Sequence, residues 1–361
     1  MSVTTADVAN PGYDKQEGSR WYADGPGCKG AAGLFGAACK ATFTNLTLES
    51  PTIQLTGDNS FSGDYMYAAS LCCFDMGSTL KDITVNNPDI KVDYNDEKLE
   101  YAESLFTSVA GIEAGSWATA ATGCTVNGGK IDVNVECISK HGGEVYVGGM
   151  LGECYSSLKK CKSDVDITLN GKDVSKAKDD MELIVNVGGM GAANAAATTT
   201  ESKSTIDVKI AKEKGASSVN VGGFTGAQRY QQVSKCDVNA DIKTDCKLDP
   251  DKGVLNVGAV IGRMDVFYAS LILKYADGVK CGCIDNNVNV TYNGSAYDVL
   301  IPEEGKLSID GKTVDYVATK DYKDEETGKE YKENLNAIAE KYGTYLPKEE
   351  LEKNILYIEV Q

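Results

Sequence analysis

Arginine and histidine are almost missing from this chain: Arg stands only at 20, 229 and 263, and His only at 141. A Ser-His-Asp or Cys-His catalytic system could be built only around His141, and its setting, SKHGGE, reads as a solvent-exposed turn. Excess positive charge is missing too. The net charge is −17 with a pI near 4.6, so nucleic acid and anionic membranes would repel the chain. Long apolar runs are absent: the best, LIVNVGGMGAANAAAT, carries two Asn and falls short of the ~18–20 residues a membrane helix needs. The paired CxxC spacing of a zinc site is also lacking. The N-terminus, MSVTTADVANPGYDKQ, has neither the basic nor the hydrophobic region of a secretory signal. Either the protein is intracellular, or this is a mature fragment, with an added Met, of an extracellular or cell-surface protein; the early start of the repeats favours the fragment.

What the sequence has in plenty is glycine, 38 residues, and it recurs in phase. AAGLFG at 31, YAASLC at 67, FTSVAG at 106, VGGMLG at 147, VGGMGA at 187, VGGFTG at 221 and VGAVIG at 257 start 36, 39, 41, 40, 34 and 36 residues apart. The second half of each unit alternates. In CKSDVDITL (161–169), Cys161, Ser163, Val165, Ile167 and Leu169 fall on one face; Lys162, Asp164, Asp166 and Thr168 fall on the other. Residues 202–210 and 236–244 repeat the pattern, as strands with one buried face do. In ITVNNPDIKV (83–92) and CTVNGGKIDVNV (124–135), Pro, Asn or Gly shifts the phase by one, as a corner or bulge does.

A unit of this size cannot bury its apolar face alone, so it must stack on its neighbours. The fold expected is all-β: a right-handed parallel β-helix (β-solenoid) of about seven coils over residues 31–294. Stacking at about 4.8 Å per strand makes it a rod of roughly 30–35 Å. Gly or Ala is needed at the second and third positions of the glycine strand, because a Cβ there would crowd the next coil. Open solenoid ends invite association unless covered. Residues 1–30 are expected to form an N-terminal cap, and residues 295–361 a small C-terminal α+β cap or module. In that module LSIDGKTVDYV reads as a hairpin across Asp310-Gly311, NLNAIAEKYG as a helix ended by Gly343, and NILYIEV as a strand.

The unit, a GG-apolar-Gly strand, a loop, then a Cys entering alternating strands, resembles the GLUG motif. It is seen best in VGGMLGECYSSLKKCKSDV and VGGFTGAQRYQQVSKCDV. The resemblance covers roughly residues 31–293, with AAS and TSV replacing GG in early units. It implies a β-helical, surface-exposed, adhesin-like bacterial protein with no catalytic residues.

Candidate chemistry is sparse. Of twelve Cys, Cys124, Cys161, Cys236 and Cys281 or Cys283 occupy one place in successive units and are expected to stack inside as small apolar side chains, with disulfides the next reading. Asp132, Asp164, Asp166, Asp207, Asp237 and Asp241 share an outward strand face with Lys162, Lys203, Lys209 and Lys243. That is a solvated mixed-charge ladder more readily than the acid cluster of a β-helix lyase or glycosidase. LDPDKG, with Asp249 and Asp251, hints weakly at calcium. No metal or cofactor site is assigned. The loop after each glycine strand carries Phe74, Trp117, Tyr155, Tyr230 and Phe267-Tyr268, with Arg229 and Arg263 beside them. Stacked into a row, Trp117, Tyr155, Arg229, Tyr230, Arg263 and Tyr268 are the candidate ligand-binding residues, suited to a glycan or a host surface or matrix protein. The other outcome is that these rings fold over the corner and seal the core. A structural stalk is the second function considered, a polysaccharide lyase or glycosidase the third.

Overall fold

The computed structural model describes residues 2–5, 28–57, 65–95, 105–136, 143–172, 183–211, 217–229, 233–249, 253–265 and 286–296, and short strands between 305 and 359. The chain winds through three stacked sheets to make a parallel β-solenoid of about five turns. Sheet 1 holds the glycine strands, from Cys28–Ala32 to Gly253–Gly258. Sheet 2 begins just after each glycine turn, as in Leu151–Lys159. Sheet 3 carries the alternating strands, among them Thr125–Glu136, Cys161–Lys172, Thr200–Ala211 and Cys236–Lys247, each of 12 residues.

Alternation behaves as the period-2 pattern requires. In Cys236–Lys247 every second residue, from Cys236 to Cys246, is buried while the residues between face out. The phase shift falls at a corner, where Asn87 and Pro88 lie beside Gly128 and Gly129 in the next coil. Asn127 and Lys130 there bracket a register shift against Cys161–Lys172. Gly129 has φ 88°, and a Cβ on it would stand 2.4 Å from the Pro88 carbonyl oxygen. Later coils run straight through this place.

The glycine rule divides into two physical causes. At the third position, a Cβ on Gly149 would lie 2.0 Å from the carbonyl oxygen of Gly189 in the next coil, as expected. At the second position the obstacle is local: a Cβ on Gly148 would meet the carbonyl oxygen of its own Leu151 at 1.7 Å. The chain doubles back there, so the first residues of sheet 2 cross the outer face of sheet 1. The apolar residue after the glycines turns inward, giving the buried column Leu71–Ile112–Met150–Met190–Phe224–Val260. Pairing also shifts three unit starts. Ala32, Ala68 and Val109 align with Val147, so the units begin at 32, 68 and 109, and the third unit reads VAGIEA.

The ends are built differently. At the N-terminal end Phe35 and Phe43 head two interior columns, and their rings meet across the bore at 5.2 Å. Phe35 stays 41% exposed, with no coil beneath it among the described residues. Of the cap expected over residues 1–30, the described part is mainly Ser2–Thr5, an edge strand of sheet 3 beside Thr52–Gly57. At the other end Asn286–Ala296 pairs with Cys236–Lys247 in the antiparallel sense along eleven matched positions. The last sheet 3 strand therefore reverses the winding rather than continuing it. Farther on, Gly305–Ile309 and Lys312–Tyr316 pair as the hairpin flanking residues 310 and 311, and Tyr357–Glu359 is a strand. The helix expected at 334–343 lies outside the described residues.

Candidate functional site

The predicted aromatic row is not one row. Trp117 lies in Glu113–Thr122, in register with Met76 on one side and Tyr155 on the other, and is half-buried. Phe74 pairs instead with Gly115, two residues away, and is 8% exposed. Its ring meets Tyr67 at 5.8 Å; Tyr67 in turn meets Phe106 at 5.6 Å, and Phe106 meets Tyr146 at 5.4 Å. These rings, with Cys73 and Ala114, fill the crease where sheet 2 crosses the outer face of sheet 1, and Trp117 and Met76 pack against them. At Phe74 the ring is turned in and helps close the crease. Ring area removed from water, at roughly 25 cal/mol per Å², rewards closing the crease.

Arg263 is 8% exposed and stands in the column Ala193–Ala227–Arg263. Its neighbours along that column are crease alanines. The backbones of Tyr155 and Arg229 are strand residues, whereas Tyr230 and Tyr268 lie outside the described residues, as do His141 and Asp251. In the late coils the crease is held by an amide ladder: Asn220 donates to Asn186 at 2.9 Å, and Asn256 donates to Asn220 at 2.7 Å.

The outer face of sheet 3 is the broadest regular polar surface described. Lys203 meets Asp164 at 3.1 Å and Lys162 meets Glu201 at 3.1 Å, both between coils. Lys209 meets Asp207 at 2.9 Å along one strand, and that contact raises the Lys209 ammonium above its ordinary value. Asparagines extend the grid, with Asn170 donating to Asn134 at 2.8 Å and Asn134 to Asp93 at 2.8 Å. In-register strands space these groups about 4.8 Å apart across the sheet and roughly 6.6 Å apart along it. The carboxylates are interleaved with lysines, as the ladder reading required.

One polar group escaped sequence reasoning altogether. Glu113 and Asp75 are fully buried inside the bore. Asp75 accepts from Thr119 at 2.5 Å and from Ser78; Glu113 accepts from Ser116 at 2.9 Å, while its Oε1 has no protein partner. Burial, then the nearby Asp75, pushes the Glu113 carboxyl well above the ordinary carboxylate range. The signal was available: with the third unit read as VAGIEA, Glu113 occupies the interior place that Leu151 holds in the next coil. The expected cysteine stack is present in the order Cys124–Cys161–Thr200–Cys236, all free thiols among the cysteines. Cys281 and Cys283 lie outside the described residues. Among the described residues no three His, Cys, Asp or Glu gather as a metal site would need, and no helix is long and apolar enough to cross a membrane.

No protein-family model matches the chain, and no curated protein or solved structure matches it either.

Proposed function

We propose that this chain is an extracellular, non-enzymatic, adhesin-like solenoid of the GLUG-motif type that binds glycan or a host matrix protein through its side. In this reading the rod is right-handed, counts seven coils and is capped by residues 1–30 and 295–361. The observation that carries the proposal is the outer grid of sheet 3. Amide, hydroxyl, ammonium and carboxylate groups repeat there at near-constant spacing, and a polyhydroxylated chain can be hydrogen-bonded at successive coils without a pocket. Trp117 and Tyr155, adjacent in register, are the candidates at one edge, with Arg229, Tyr230 and Tyr268 as further candidates. Arg263 acts as a support for the crease.

A structural stalk is the second reading, and the inward rings favour it. A rod whose aromatics are spent on its own crease needs no ligand. The lyase or glycosidase reading loses ground, because the carboxylates of sheet 3 are tied to lysines, and the buried pair Asp75 and Glu113 is sealed from substrate.

The deciding experiment is an array of glycans and matrix proteins probed with the wild type, a Lys203→Glu/Lys243→Glu face variant and a Trp117→Ala/Tyr155→Ala edge variant. Binding lost only in the face variant supports the grid; binding lost only in the edge variant moves the site to the rings. No binding by the wild type leaves the stalk.

A further inference from the structure

Cys124 and Cys161 are the inward residues at the entry to sheet 3 in two consecutive coils. Their neighbours Thr125 and Lys162 are paired across the parallel ladder, and the Lys162 amide donates to the Cys124 carbonyl at 2.9 Å. The two side chains therefore stack at the ladder spacing of about 4.8 Å, inside the Cα window of roughly 4.4–6.8 Å that a disulfide spans. Both are buried, at 0% and 2% exposure. Thr200 takes the next place in the column and donates to the Cys236 sulfur at 3.1 Å, so it separates Cys236 from the pair. Cys72 and Cys73, adjacent in sequence, belong to the core and to the crease respectively.

We propose that Cys124 and Cys161 form an inter-coil disulfide when the chain folds in the presence of a small-molecule disulfide such as oxidised glutathione. Neither thiol is open to solvent once the coils have closed, so the exchange belongs to folding. The Cys161 thiolate attacks one sulfur of the small disulfide and expels one glutathione thiolate. The Cys124 thiolate then attacks the mixed disulfide at the Cys161 sulfur and expels a second glutathione. Two protein thiols lose two electrons and two protons; one small disulfide is reduced to two thiols. The cross-link closes a loop of one coil and is buried beyond the reach of soluble reductants. It does not depend on what the rod binds.

The test is refolding of the full chain from denaturant with a glutathione redox buffer, then alkylation and non-reducing tryptic mapping, beside a sample refolded in reductant. The expected result is the 99–130 peptide joined to the peptide bearing Cys161, and a melting temperature roughly 5 °C or more above the reduced sample. The Cys124→Ser variant, in which the thiol is replaced by a similar-sized hydroxyl, is expected to show no such shift between the two buffers. As a second route, export of the chain into an oxidising compartment should yield the same linked peptide without refolding. Cys124 and Cys161 both alkylated in protein folded by either oxidising route, or Cys161 joined to a cysteine other than Cys124, overturns the proposal.

Discussion

The crease between sheets 1 and 2 is closed by two chemistries along one rod. In the early coils Tyr67, Phe74, Phe106 and Tyr146 interlock as rings. In the late coils the same outer face of sheet 1 carries Asn186, Asn220 and Asn256, whose amides bond in a line beside Ala193 and Ala227. The two solutions exclude water differently, one by apolar area and the other by bonding side-chain amides from coil to coil. The winding fixes that the crease must be filled and leaves the filling to each coil.

The most severe way to break the comparison is to disturb the winding itself. Gly189→Val places a branched side chain where a Cβ already meets the Gly223 carbonyl oxygen at 2.3 Å. It should cost more than about 3 kcal/mol in urea unfolding, or prevent folding. Phe106→Ala removes the central ring of the early crease and should cost about 3 kcal/mol. Asn220→Ala leaves the Asn186 oxygen and the Asn256 amide without their ladder partner and should cost about 2 kcal/mol. If Asn220→Ala proves as damaging as Phe106→Ala, the ladder carries the late crease alone; if it is neutral, the alanine packing does.

Much of this was legible because backbone period and side-chain burial coincide. Cys161, Val165 and Ile167 announce their face whatever surrounds them, and Asn87-Pro88 announces a corner. The crease was not legible. Whether Phe74 or Tyr146 faces water depends on sheet 2 crossing the outside of sheet 1, and no local pattern records that crossing. Glu113 was hidden by a register error, since a slip of three residues moved it from the interior position to a loop.

Glu113 distinguishes the early bore from the late one, where hydroxyls such as Ser202 and Ser204 fill the inward polar places. Below the ordinary value of 4.5 the carboxyl is protonated in both folded and unfolded states. As pH rises above that, the unfolded chain ionises while the folded one holds its proton, so stability falls until the folded value is passed. Unfolding midpoints of wild type and Glu113→Gln between pH 4 and pH 8 should diverge, with the variant gaining as pH rises. Parallel curves would mean the carboxyl is not held protonated by the bore. The smallest effect belongs to the face of sheet 3. Lys203→Ala breaks the exposed pair with Asp164 and should cost less than about 1 kcal/mol, vanishing in high salt.

The backward strand Asn286–Ala296 bears on how such a rod can change its length over evolutionary time. A new unit inserted anywhere upstream finds parallel neighbours on both sides and adds one more storey. Placed after the reversal, the same unit would face a strand running the other way, and its glycine turn would have no partner turn to rest on. Duplication can therefore lengthen the rod only upstream of that strand, which acts as its punctuation mark.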